Sequence, residues 1–159
     1  MKKRMLLSLI ALMVLACTFG LGYIVGNQSR GSEDPSSFNQ AIRSKWVKEE
    51  QPPLPAISIN GTAIEVARGG YSWCPSPGSC VSVDASIPEL KAAIVPAGSV
   101  IDTTAPQGIK EFTLTNTSKD FSGDSYIVPE TKGQYLYNIH CEWFLDQGQA
   151  DYYFLVEVQ

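Results

Sequence analysis

Hydrophobic and polar positions change rhythm twice along this chain. From Met5 to Gly26, "MLLSLIALMVLACTFGLGYIVG" contains no Asp, Glu, Lys, Arg or His. A helix needs roughly 20 apolar residues to cross a bilayer core, so this run is long enough. The polar, turn-rich "NQSRGSEDPSS" that follows reads as a tether. In "SFNQAIRSKWVKEEQ" the positions Phe38, Ile42 and Trp46 recur at every fourth residue, which is one stripe of a helix. Ser37 with Gln40 fits a capping box, and "QPPLP" must end the helix, since proline lacks the N–H and crowds the preceding turn. The spacing predicts a short juxtamembrane helix.

From Ala56 the period falls to two. "ISINGTAIEV" predicts two short strands about Asn60-Gly61, because both central positions of such a turn need positive φ. "CVSVD", "SVIDTT", "KEFTLTN" and "SYIVPE" are further β-like runs, separated by Gly, Pro, Ser and Asn clusters. "PELKAAIVPAG" has room for one helical turn between Pro88 and Pro96. The most regular stretch closes the chain: "GQYLYNIHCEWFLDQGQADYYFLVEV" predicts a long hairpin turning near "DQGQ". Tyr135, Tyr137, Ile139, Cys141 and Trp143 then share one face of its first strand. Tyr152, Phe154, Val156 and Val158 share one face of the second, with Glu157 pointing the other way. Burying each such side chain contributes ~1.5–3 kcal/mol, which makes this hairpin the expected stability centre.

The pattern divides the chain into residues 1–26, a membrane anchor or signal segment; residues 27–55, a tether with a short helix; and residues 56–159, an all-β body. Lys2, Lys3 and Arg4 ahead of the apolar run favour a cytoplasmic N-terminus with everything downstream exported. The run serves either as an uncleaved anchor or as a signal peptide. In the second case Val14-Leu15-Ala16-Cys17 resembles a lipobox, with Cys17 lipidated after cleavage. Cleavage without lipidation is simple secretion, and every version places the body outside the cell, with the first two holding it at the membrane. Without those three N-terminal cations, nine of the 12 basic residues face 16 acidic ones, a balance of −7. Nucleic-acid binding needs clustered Lys and Arg, so that class of partner is excluded.

Of the four cysteines, Cys17 belongs to the targeting segment, leaving Cys74, Cys80 and Cys141. In an oxidising compartment, Cys74 and Cys80 at either end of "CPSPGSC" predict a disulfide. Zinc wants four ligands and a second paired spacing, and redox pairs favour Cys-x-x-Cys; neither pattern is present, and no cofactor is expected. Cys141 reads as a small buried hydrophobe. His140, the sole histidine, sits beside it, yet neighbours on a strand point to opposite faces and cannot activate one another. "DFSGDS", from Asp120 to Ser125, reads as a solvated acidic turn rather than a calcium loop. Around the disulfide, Tyr71, Trp73, Pro75 and Pro77 have two readings. They form either a stiff, aromatic-flanked binding loop or a turn whose tryptophan packs into the core.

A resemblance adds to this. Gly133-x-Tyr135-x-Tyr137, Trp143 and Tyr152-x-Phe154-x-Val156-x-Val158 resemble the closing strands of bacterial immunoglobulin-like sandwich domains. The Tyr-x-Trp-Cys…Cys-Val turn is similar to that of small membrane-anchored or lipoprotein-like exported proteins of Gram-positive bacteria. The resemblance spans Ala56 to Gln159 and implies an Ig-like antiparallel β-sandwich, with Tyr135 or Tyr137 near a tyrosine corner. It implies no activity, because such domains host many. The function expected is non-catalytic: a membrane-anchored recognition or accessory module for an envelope protein or cell-wall component. The alternatives are an inhibitor or immunity-type protein using the Cys74–Cys80 loop, and an enzyme built on His140.

Overall fold

Alternation from Ala56 onward becomes nine strands in the computed structural model, which describes residues 45–159 with the exception of Asp120. The apolar run Met5–Gly26, Cys17 and the tether as far as residue 44 lie outside the described residues. The strands are β1 (Ala56–Ile59), β2 (Thr62–Ile64), β3 (Ala67–Ser76), β4 (Ser79–Val83), β5 (Ala93–Ile94), β6 (Ile101–Thr104), β7 (Ile109–Asn116), β8 (Gly133–Trp143) and β9 (Gly148–Val158). Among the described residues there is no α-helix. A three-stranded sheet has the order β2-β1-β6, and a larger one the order β4-β3-β9-β8-β7. All these pairs are antiparallel; the short β5 runs parallel to the end of β9.

Both sheets feed one core. Ile57, Ile59, Ile64 and Ile101 come from the smaller sheet, and Trp73, Tyr137, Ile139, Cys141, Trp143, Tyr152, Phe154 and Val156 from the larger. The closing hairpin supplies half of it, because its register sets inward residues opposite one another: Tyr137 against Phe154, Ile139 against Tyr152, Cys141 against Ala150. Tyr137 and Phe154 stack with centroids 4.8 Å apart, and Trp143 meets Trp73 edge to face at 5.0 Å. Such pairs add ~0.5–1.5 kcal/mol beyond area burial. The turn predicted at Asn60-Gly61 is there, with φ of 51° and 75°.

Three local expectations are corrected. Lys45 to Gln51 are not helical, so Trp46 lies on no helical stripe. The backbone of Val47 is held by a side chain 100 residues away instead of by its own turn. "SYIVPE" forms no strand, only a single bridge between Val100 and Ile127. "PELKAAIVPAG" contains β5 in place of a helical turn, drawn out by its pairing with Val156 and Glu157.

The stretch from Lys45 to Pro55, assigned by sequence to the tether, straps the body. Gln147 is fully buried, and its side-chain amide acts as a peptide group would in a neighbouring strand. Its Oε1 accepts from the Val47 N–H at 2.9 Å, while Nε2 donates to the Val47 carbonyl at 2.6 Å and the Cys74 carbonyl at 3.2 Å. Further along, Trp73 Nε1 donates to the Glu49 carbonyl, Arg68 to the Pro52 carbonyl and the Tyr152 hydroxyl to the Pro53 carbonyl. Prolines cannot donate, so from Glu49 to Pro53 the strap's backbone presents acceptors and the body supplies the donors.

Candidate functional site

The β3–β4 hairpin gathers every residue that the sequence singled out around the disulfide, and it divides them between core and surface. Cys74 and Cys80 are bonded. Trp73 has no exposed surface: its ring abuts Trp143 and its indole N–H is satisfied by the Glu49 carbonyl at 2.8 Å. It is therefore withdrawn from the binding surface, and the packing reading holds for it. The physical reason is register, since Trp73 faces Gly148 of β9 and so lies on the inward side of the sheet. Gly148 is required there, as a Cβ would strike the Ser72 carbonyl oxygen and the Trp73 ring. Tyr71 is partly buried against the core, and Arg68 lies 5.8 Å from its ring. Pro75 is partly buried, with its carbonyl accepting from Trp46 Nε1 at 3.2 Å. Pro77 is exposed.

Beyond that base the hairpin's outer strand forms one edge of the larger sheet. Every residue from Ser76 to Ile87 is exposed, including Val81 at 47%, Val83 at 40% and Ile87 at 51%. The result is a rigid arm: a buried tryptophan and Gln147 fix its root, a disulfide closes it, and its tip is Pro75-Ser76-Pro77-Gly78-Ser79. Such an arm has little conformational freedom to lose on binding.

His140 and Cys141 fall on opposite faces, as strand geometry demands. Cys141 is fully buried, and burial pushes its thiol up to about 12, which keeps it protonated and unreactive. His140 lies on the outer face, with Nδ1 3.0 Å from Asp151 Oδ1 and Nε2 3.8 Å from Glu142 Oε1. Glu142 also pairs with Lys110 at 3.1 Å; that hydrogen bond draws the Glu142 carboxyl below its ordinary value and raises the Lys110 ammonium. These groups sit on an open sheet face, where such pairs add little to stability. Between β7 and β8, Asp124 Oδ1 accepts from the Tyr126 N–H at 2.9 Å, so this carboxylate shapes its own turn. The other acidic member of "DFSGDS", Asp120, lies outside the described residues. Among the described residues no group of three His, Cys, Asp or Glu side chains is placed to hold a metal.

Gln147, Arg68 and the strap carbonyls are the parts of this site that sequence reasoning missed. A glutamine in a turn reads as solvated, and nothing in "DQGQ" signals that its amide is buried. The proline-rich "QPPLP" is a weak signal, since a run poor in N–H groups suits an acceptor strip. A scan against protein-family models, a search of curated proteins and a search of solved structures each return no match.

Proposed function

We propose that this chain is a membrane-tethered, extracytoplasmic recognition module that engages an envelope protein or cell-wall component through its β3–β4 arm. The observation that carries this reading is the exposure of Ser76 to Ile87 on an arm whose root is buried and whose strands are cross-linked. Tethering rests on the apolar run Met5–Gly26 behind Lys2, Lys3 and Arg4, either as an uncleaved anchor or with Cys17 lipidated. Export agrees with the disulfide, since such bonds persist in oxidising compartments. The non-catalytic character is supported by His140 and Cys141, which face apart.

An Ig-like kinship is part of the proposal at the level of two-sheet architecture. The Tyr135 hydroxyl donates to the Thr131 carbonyl, four residues upstream, at 2.8 Å, as in a tyrosine corner. The strand order is not that of an immunoglobulin domain, however, since the last strand, β9, lies between β3 and β8 instead of at an edge. The likeness to small exported proteins of Gram-positive bacteria belongs to the same proposal and rests on the Tyr71-x-Trp73-Cys74…Cys80-Val81 turn. The inhibitor-type alternative draws on the same exposed, proline-stiffened tip.

The test is capture from host envelope extracts by the full chain, against a variant in which Ser76–Ser79 is replaced by a shorter Gly-Ser turn. The variant is expected to lose the captured partner and keep native tryptophan fluorescence. Undiminished capture by a folded variant overturns the role of the arm.

A further inference from the structure

β4 is the free edge of the larger sheet, and although its pairing with β3 is irregular between Trp73 and Ser76, it has no charged residue to blunt that edge. Strand edges expose unpaired N–H and C=O groups, and proteins protect them with charged residues, bulges or brevity. The other edges here are protected. β7 carries Lys110 and Glu111 and a register shift beside them; β6 carries Asp102, and β2 has three residues. β4, "SCVSV", carries no charge, no proline and no cover, with all five residues exposed. Val81 and Val83 lie on one of its faces, opposite Trp73 and Tyr71 of β3 in register, and Cys80 and Ser82 lie on the other.

We infer that β4 is a β-augmentation site: it takes an extended segment of a partner protein, alternating apolar and polar residues behind a basic residue at its N-terminal end, as an additional antiparallel strand. This rests on the recognition reading above and names the chemistry of the partner. Main-chain hydrogen bonds along the edge supply affinity, and the Val81–Val83 face selects alternating apolar side chains. The disulfide across Cys74 and Cys80 holds the edge ready before binding. Charge sets where the basic residue falls. Asp84 follows β4 directly and makes no ion pair among the described residues. In an antiparallel pairing it faces the N-terminal end of the incoming strand. From Lys45 onward, seven Lys and Arg stand against 14 Asp and Glu, so the field of the body also favours a cationic segment. A second copy fits less well: pairing would bring two acidic bodies together over a five-residue strand, well short of the roughly 1,200–2,000 Å² of a stable interface.

The test pans a phage-displayed library of random linear octapeptides over the full chain in detergent. Enriched peptides are expected to alternate apolar and polar residues over four or five positions, with Lys or Arg ahead of them. Binding of the strongest synthetic peptide should weaken about tenfold or more, some 1.4 kcal/mol, when alternate backbone amides are N-methylated. The same loss is expected for Val81→Lys and for Ser82→Pro, and a smaller one for Asp84→Lys; Lys110→Ala on the opposite edge should change nothing. Val81→Lys alters an exposed side chain and is the variant to rely on if Ser82→Pro misfolds. Enrichment without alternation, or binding indifferent to N-methylation and to Val81→Lys, overturns the inference. So does a dimer, seen by sedimentation without peptide, that Val81→Lys dissolves. Peptides lost on replacing Ser76–Ser79 yet untouched by Val81→Lys overturn the edge and leave the recognition reading intact. Peptide binding at β4 by a chain that captures nothing from envelope extracts has the reverse meaning.

Discussion

At His140 and Cys141 two adjacent residues meet opposite surroundings, one on an open face beside Asp151 and the other fully buried in the core. Period-two alternation predicts that split without any tertiary information, because it follows from the pleat alone. What the thiol experiences is set by packing. Burial pushes Cys141 up to about 12 and raises the Tyr137 and Tyr152 phenols as well. Each group is neutral when protonated, and each folded pKa lies above the unfolded value. The thiol's contribution to stability is therefore complete below about pH 8.5, the ordinary thiol range. It is lost as pH rises from there towards 12, since the unfolded chain ionises first. The denaturation midpoint is expected to fall steadily between pH 8 and pH 11, and less steeply in Cys141→Ala. Identical slopes in the two proteins, or rapid labelling of native Cys141 by a membrane-impermeant thiol reagent, would contradict its burial.

Among the elements, the closing hairpin and the strap contrast most. The hairpin was legible because one apolar face runs the length of both its strands and local register aligns them. The strap was not. Phe38, Ile42 and Trp46 have helical spacing, yet in the part that is described the chain is extended. The buried Gln147 amide holds both the N–H and the carbonyl of Val47, across a separation of 100 residues. Periodicity reports only neighbours along the chain, so a partner that far away leaves no trace in it. Replacing Gln147 by Leu strands the Val47 N–H and the Val47 and Cys74 carbonyls at a buried site. The expected cost is about 1–3 kcal/mol, read from urea midpoints, together with faster amide exchange at Val47. A midpoint within error of the parent protein would show that the clamp is dispensable.

For the whole molecule, these contacts join the stretch from Lys45 to Pro55 to the body that the sequence begins at Ala56. Chains beginning at residues 45 and 56 test this. The longer one should melt cooperatively. The shorter one, having lost the carbonyls of Glu49, Pro52 and Pro53, leaves Trp73, Arg68 and Tyr152 without acceptors and should melt at least 5 °C lower, as about 1 kcal/mol shifts a domain of this size by roughly 4–8 °C. Equal melting temperatures would leave the body beginning at Ala56. The same stretch matters for recognition, because the strap grips the root of the β3–β4 arm through Trp73, Cys74 and Pro75.

By itself the sequence determined the all-β class, the Asn60-Gly61 turn, the inward rows of the closing hairpin, the opposition of His140 and Cys141, and the pairing of Cys74 with Cys80. Each of these follows from residue spacing, turn stereochemistry or the compartment expected from the sequence. Tertiary structure alone decided that Trp73 belongs to the core while Ser76 to Ile87 are exposed, that Gln147 clamps a strap, and that β4 is an uncharged edge. All three depend on which strands become neighbours. β9 inserts between β3 and β8, so Trp73 is turned inward against Gly148 and β4 is left with a partner on one side only.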